Sequence, residues 1–134
     1  MSYTRARVFS ILALLAGCAS LVYVLGNLSP YSESNALNPM ALLALLASVF
    51  LTSSSVSALL ALSLHRRWPA LAGRTARQRR QAPTAEPALR QGILAGVATI
   101  TLLAFAILRM LDVAVLIVTL LVAGLIEAFV QSRQ

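Results

Sequence analysis

LRQGILAGVATITLLAFAILRMLDVAVLIVTLLVAGLIEAFV, residues 89–130, reads as two long apolar stretches divided by one short polar break that carries Arg109 and Asp112. A hydrocarbon core about 30 Å thick needs roughly 20 apolar helical residues to cross it. Residues 89–108 meet that length, and 113–130 fall slightly short of it. Only the four residues 109–112 join the two stretches, so they predict a tight antiparallel helical hairpin. Two more apolar stretches precede it, at 8–26 and 40–64. The expected fold is all-α: a single polytopic membrane domain with four transmembrane helices. In a chain of 134 residues this leaves no length for a water-soluble domain.

The basic residues set the expected orientation. Eleven arginines and no lysine occur in the chain. Arg5 and Arg7 precede the first span, and Arg133 follows the fourth. Arg66, Arg67, Arg74, Arg77, Arg79, Arg80 and Arg90 lie in or beside the connection between spans two and three. The connection 27–39 carries no basic residue and one acid, Glu33. Arginine stays on the cytoplasmic side because translocating it is unfavourable. Both termini and the 65–88 loop are therefore expected inside (N-in/C-in), and the 27–39 loop outside. Only Arg109 sits on the outer side, with Asp112 beside it to offset the charge. The arginine and alanine bias fits a GC-rich bacterial genome, which makes the bacterial inner membrane the expected location.

Local signals agree with these boundaries. Asn38 and Pro39 supply a cap and a first-turn proline for span two, and Pro87 does the same for span three. No proline falls inside a span, so no kink is expected. Tyr3, Tyr23, Tyr31 and Trp68 fall near the expected interfaces, where amphipathic rings settle.

Within the spans, small and polar residues mark the candidate contacts. Span two carries Ser48, Thr52, Ser53, Ser54, Ser55 and Ser57. Hydroxyls lining a water path are one reading. Packing is preferred, because serine or threonine in a helix can donate to its own i−4 carbonyl, and small residues let helices approach. Span three holds the GxxxG pair Gly92 and Gly96, and span four has Gly124 four residues before Ala128. Counting across the hairpin sets Gly124 level with Val97 and Ala128 level with Ile93. The small residues of the two helices are thus expected to meet, although the GxxxG pair could equally serve a homodimer. Ala13, Gly17 and Ser20 form a similar face on span one.

Glu127 is the chief candidate functional residue, since it lies inside the apolar run about one turn from its end. A carboxylate there is unfavourable, and the negative end of the helix dipole adds to the penalty. Arg90 begins span three and is long enough to reach it. A structural Arg90–Glu127 ion pair fixing the hairpin is preferred, and a proton- or cation-handling carboxylate is the alternative. Arg90 lies about 200° around the helix from Gly92, so one face cannot present both to span four. Gln91 is the nearer polar neighbour if the glycines face Glu127.

Leu15-Ala16-Gly17-Cys18 resembles the lipobox of bacterial lipoprotein precursors, with Arg5 and Arg7 as its basic region. That resemblance implies cleavage before Cys18 and lipidation of its thiol. The residues after Cys18 stay apolar, as in an uncleaved signal-anchor helix, which is the preferred reading. Arg74, Arg77, Arg79 and Arg80 sit among Ala, Pro and Gln. They are read as a topology determinant in a solvated linker, with contact to anionic lipid as the functional alternative. Nucleic acid is the weaker partner, because no aromatic residues interleave with the arginines for stacking.

Residues 88–94, Leu108 to Leu111, and Ile126-Glu127-Ala128-Phe129 with Ser132 and Arg133 together resemble a pattern found in small uncharacterised bacterial membrane proteins. In that group an Arg-Gln-Gly start, an outer Leu-Arg and a late Glu bracket a two-helix hairpin. The resemblance covers about the last third of the chain and implies architecture; no activity comes with it. It does make Arg90, Arg109 and Glu127 a set.

An enzyme is not expected. His65 is the one histidine, and no acidic pair, Ser/His/Asp set or phosphate loop is present. No metal or other cofactor is expected either, for want of ligands. Two functions of different class remain. The first is a small membrane scaffold or accessory subunit that packs against a membrane-protein partner and touches lipid. The second is a homo-oligomeric transporter or proton-coupled exporter using Glu127. Size and helix number resemble the small multidrug transporters, but those carry their glutamate in the first helix, and this chain has no acid there.

Overall fold

The computed structural model describes residues 3–28, 38–67 and 85–133. Arg74, Arg77, Arg79 and Arg80 lie outside the described residues. Four helices follow in order: α1 (Tyr3–Asn27), α2 (Pro39–Arg67), α3 (Glu86–Ile107) and α4 (Val113–Ser132). Each is long and apolar enough to cross a membrane, and no strand occurs among the described residues. The protein is an all-α, multi-pass membrane protein. α1 begins five residues before the apolar stretch at 8–26 and α2 ends three residues after that at 40–64. The polar ends stay helical because the helix satisfies their backbone groups there as it does in lipid.

The caps follow local chemistry. Asn38 Oδ1 accepts from the N–H groups of Met40 (3.2 Å) and Ala41 (3.4 Å), with Pro39 opening α2. Pro87 lies in the first turn of α3 beside Glu86, where the positive end of the helix dipole favours an acid.

α2 is the hub, packed extensively against α3 and α1, whereas α4 packs lightly and chiefly against α3. Ala41, Ser48, Ser55 and Leu62 are buried along α2 at seven-residue intervals, the two-turn repeat of a continuous seam. The hydroxyls turn inward on their own helix. Thr52 donates to the Ser48 carbonyl (2.8 Å), Ser53 to Val49 (2.7 Å) and Ser55 to Leu51 (2.6 Å). No buried side-chain polar atom among the described residues lacks a partner.

Glycine makes both α2 interfaces close. A Cβ placed on Gly17 of α1 would lie 2.7 Å from Thr52 Oγ1 and 2.9 Å from the Thr52 backbone nitrogen. On α3, a Cβ on Gly92 would lie 2.6 Å from both the Ser54 carbonyl oxygen and Ala58 Cβ, and one on Gly96 2.8 Å from Ser54 Cβ. Thr52 and Ser54 are about 200° apart on the helix, so α2 offers a small residue to each neighbour on opposite sides. At one end Ala6, Leu62, Ala85 and Ala88 gather into a small apolar cluster, and Tyr3 donates its phenol hydrogen to the Leu62 carbonyl. This end also carries Arg5, Arg7, Arg67, Arg90 and Arg133 and is called the basic end below.

The structure corrects one expectation here. The small residues of α3 and α4 do not meet: Gly92 and Gly96 face α2, a Cβ on Gly124 would touch nothing within 4 Å, and Ala128 is exposed. No residue of α4 is buried. Between the two helices a gap of about 230 Å³ remains, lined by Leu94, Val97 and Ala98 facing Val118, Val122 and Ala123. The cause is rotational, since α3 turns its Arg90–Gln91 side to α4 and its glycines the other way. Ser20 is also exposed, and Leu21 partly replaces it on the α1 face.

Gly92→Ala is expected to destabilise the fold by about 1–3 kcal/mol, because α2 backbone must move. Gly124→Ala meets open space and should be neutral or stabilising, by up to about 1 kcal/mol. Reversible unfolding in mixed micelles compares the two directly.

Candidate functional site

Four polar side chains converge at the basic end of the α3–α4 pair. α4 carries Glu127 five residues before its last residue, Ser132, and α3 carries Arg90 and Gln91 in its first two turns. Arg90 grips the carboxylate with two hydrogen bonds, Nε to Oε2 at 3.1 Å and Nη2 to Oε1 at 2.9 Å. Gln91 Nε2 donates to Oε1 at 3.1 Å, and Gln131 Nε2 to the same oxygen at 2.8 Å. His65 of α2 is partly buried close to Gln91, beside the group but outside its hydrogen bonds. Arg90 and Glu127 are 27% and 16% exposed, sheltered enough for the pair to be little screened.

A carboxylate has about four lone-pair directions, and here three side chains supply four donors. The bidentate guanidinium is the strongest form of such a pair. Taking up a proton would require Glu127 to release Arg90. The arrangement is therefore chemically a clasp: it holds α4 to α3 near the end away from the hairpin turn. It is the one ion pair among the described residues. Arg90 and Gln91 both reach Glu127 because they sit about 100° apart, on either side of the α4-facing line. Gln131 was legible as an i+4 neighbour of Glu127. His65 had no such signal, because its proximity depends on how α2 ends beside α3.

At the opposite end the turn has its own logic. Arg109 adopts φ 56, the left-handed region, with its N–H on the Ala106 carbonyl (3.0 Å) and the Met110 N–H on Phe105 (2.8 Å). Those two bonds are the Schellman closure of α3, normally built on glycine. Asp112 does not pair with Arg109 to offset its charge. It caps α4 instead, Oδ1 accepting from the Val113 N–H at 2.6 Å.

Cys18 is exposed midway along an uninterrupted α1. Cleavage before it would remove Tyr3, Ala6, Ser10 and Gly17, all of them contact positions of α1. Among the described residues no three His, Cys, Asp or Glu side chains converge to hold a metal ion.

Comparison with known protein families, with curated proteins and with solved structures finds no match.

Glu127→Gln leaves Arg90 sheltered and unpaired and is expected to cost about 1–3 kcal/mol of stability. Replacing both partners by leucine should restore part of that loss, since two apolar groups need no partner. A double-mutant cycle in micelles gives the coupling. Separately, Arg109→Gly should be tolerated, whereas Arg109→Val should lower the melting temperature, because a β-branched residue resists the left-handed region.

Proposed function

We propose that this protein is a small scaffold or accessory subunit of the bacterial inner membrane, N-in/C-in, which holds a membrane-protein partner by helix packing. The observation that carries this reading is the state of α4. That helix contributes no buried residue to the fold, yet it is held at both ends, by the 108–112 turn and by the Glu127 clasp. A helix so placed serves little in the packing of its own chain and is available to another.

Its outer side supports the same reading. Gly124 lies in a shallow apolar groove between Ile117, Leu120, Leu121 and Leu125. Exposed glycine on an apolar helix allows a second helix to approach closely, which is how packing drives association where no hydrophobic effect operates. The engagement of the Glu127 carboxylate by Arg90, Gln91 and Gln131 favours a structural role over ion handling. The arginines of the 65–88 loop, on the cytoplasmic side in this orientation, add a surface for anionic lipid.

Native mass spectrometry of the protein extracted gently from its own membrane tests the proposal. A stoichiometric foreign subunit is expected, and Gly124→Leu should abolish its retention while leaving the chain's own stability unchanged. A bare homo-oligomer would overturn the accessory reading and favour transport through Glu127. In that case Glu127→Gln should abolish activity in a folded protein.

A further inference from the structure

A second polar feature lies away from the clasp, between α1 and α2. At the basic end, α1 and α2 part to leave an open cleft of about 620 Å³. That volume falls within the usual range for pockets that bind small ligands. Its rim carries Arg7 from α1 and Arg67 from α2, and among the described residues no carboxylate lines it. Deeper in, Ile11 and Leu59 give it an apolar wall continuous with the lipid-facing surface.

The remaining polar groups narrow the ligand. The Tyr3 phenol donates to the Leu62 carbonyl and the Ser63 hydroxyl to the Leu60 carbonyl at 2.7 Å, so neither hydrogen is available to a ligand. Among the described residues, recognition falls to two guanidiniums with no acid lining the cleft. Guanidinium matches the geometry of phosphate oxygens with paired N–H donors. A ligand that satisfies both the cationic rim and the apolar wall is an anion with a hydrocarbon tail.

We infer that the α1–α2 cleft is a binding site for one anionic phospholipid, its phosphate between Arg7 and Arg67 and an acyl chain along Ile11 and Leu59. The site is separate from the arginines of the 65–88 loop and does not depend on α4 or on any partner. Lipid bound there would bridge the ends of α1 and α2 and offset the charge of Arg7 and Arg67.

The test is native mass spectrometry of the full chain in non-ionic detergent, titrated with phosphatidylglycerol, with phosphatidylcholine of the same acyl chains, and with inorganic phosphate. One phosphatidylglycerol per chain should be retained, and phosphatidylcholine should bind far more weakly. Arg7→Gln with Arg67→Gln should weaken phosphatidylglycerol by roughly 30-fold, the worth of two arginines at an anionic surface. Arg7→Lys with Arg67→Lys should keep most of the affinity, which separates loss of charge from misfolding. Arg5→Gln with Arg133→Gln is the control: Arg5 lies about 200° from Arg7, and Arg133 stacks on Phe129 at 4.6 Å. Equal binding of the two lipids would overturn the inference. So would an equal loss in the control, which would mean diffuse attraction, or displacement of the lipid by millimolar phosphate, which would mean a site for the free ion.

Discussion

Close approach of α2 to the helices on either side of it is the constraint on which this fold depends. In lipid there is no hydrophobic gain from bringing apolar helices together, so association rests on packing contact and its hydrogen bonds. Gly17 on α1, and Gly92 and Gly96 on α3, meet Thr52, Ser54 and Ala58 at distances that leave no room for a β-carbon. Thr52 and Ser54 have hydroxyls, yet each donates back to its own helix, so neither demands a partner across the interface. The three-helix layer α1–α2–α3 is thus held by backbone proximity, with large side chains mostly turned outward to lipid.

α4 is attached on different terms. It has no glycine-lined contact and no buried residue, and a gap separates its middle from α3. What holds it is a covalent turn at one end and a charged clasp at the other. These two attachments are complementary: the turn limits how far α4 can leave α3, and the clasp limits how it can rotate. The same Arg90–Gln91 orientation that makes the clasp directs Gly92 and Gly96 to α2. One rotational choice of α3 therefore serves both interfaces, and it leaves Gly124 on the outside.

Polar chemistry gathers at the basic end because the membrane allows it nowhere else at low cost. Long arginine side chains can lie along apolar surface and keep their heads in water. Arg90 turns its head to the Glu127 carboxylate, and Arg7 and Arg67 line the α1–α2 cleft. The clasp lies between α3 and α4 and the cleft between α1 and α2, so the two share no side chain.

Much of this was legible in the chain. Four apolar stretches of membrane length, the caps at Asn38 and Pro39, the short turn at 109–112 and the candidate pair Arg90 and Glu127 follow from composition and spacing. Hydrocarbon thickness and backbone hydrogen bonding leave a helix few alternatives there. The rotation of each helix about its axis could not be read in the same way. In an apolar span nearly every face is compatible with lipid, so periodicity carries little information about which face turns inward. That choice was decided by three-dimensional contacts: the fit of Gly92 against Ser54 and Ala58, the reach of Gln91 and Gln131 to one carboxylate, and the approach of His65 from α2. Residue order determined that four helices would form and where they would turn, while only packing between them decided which glycines became contacts and which stayed exposed.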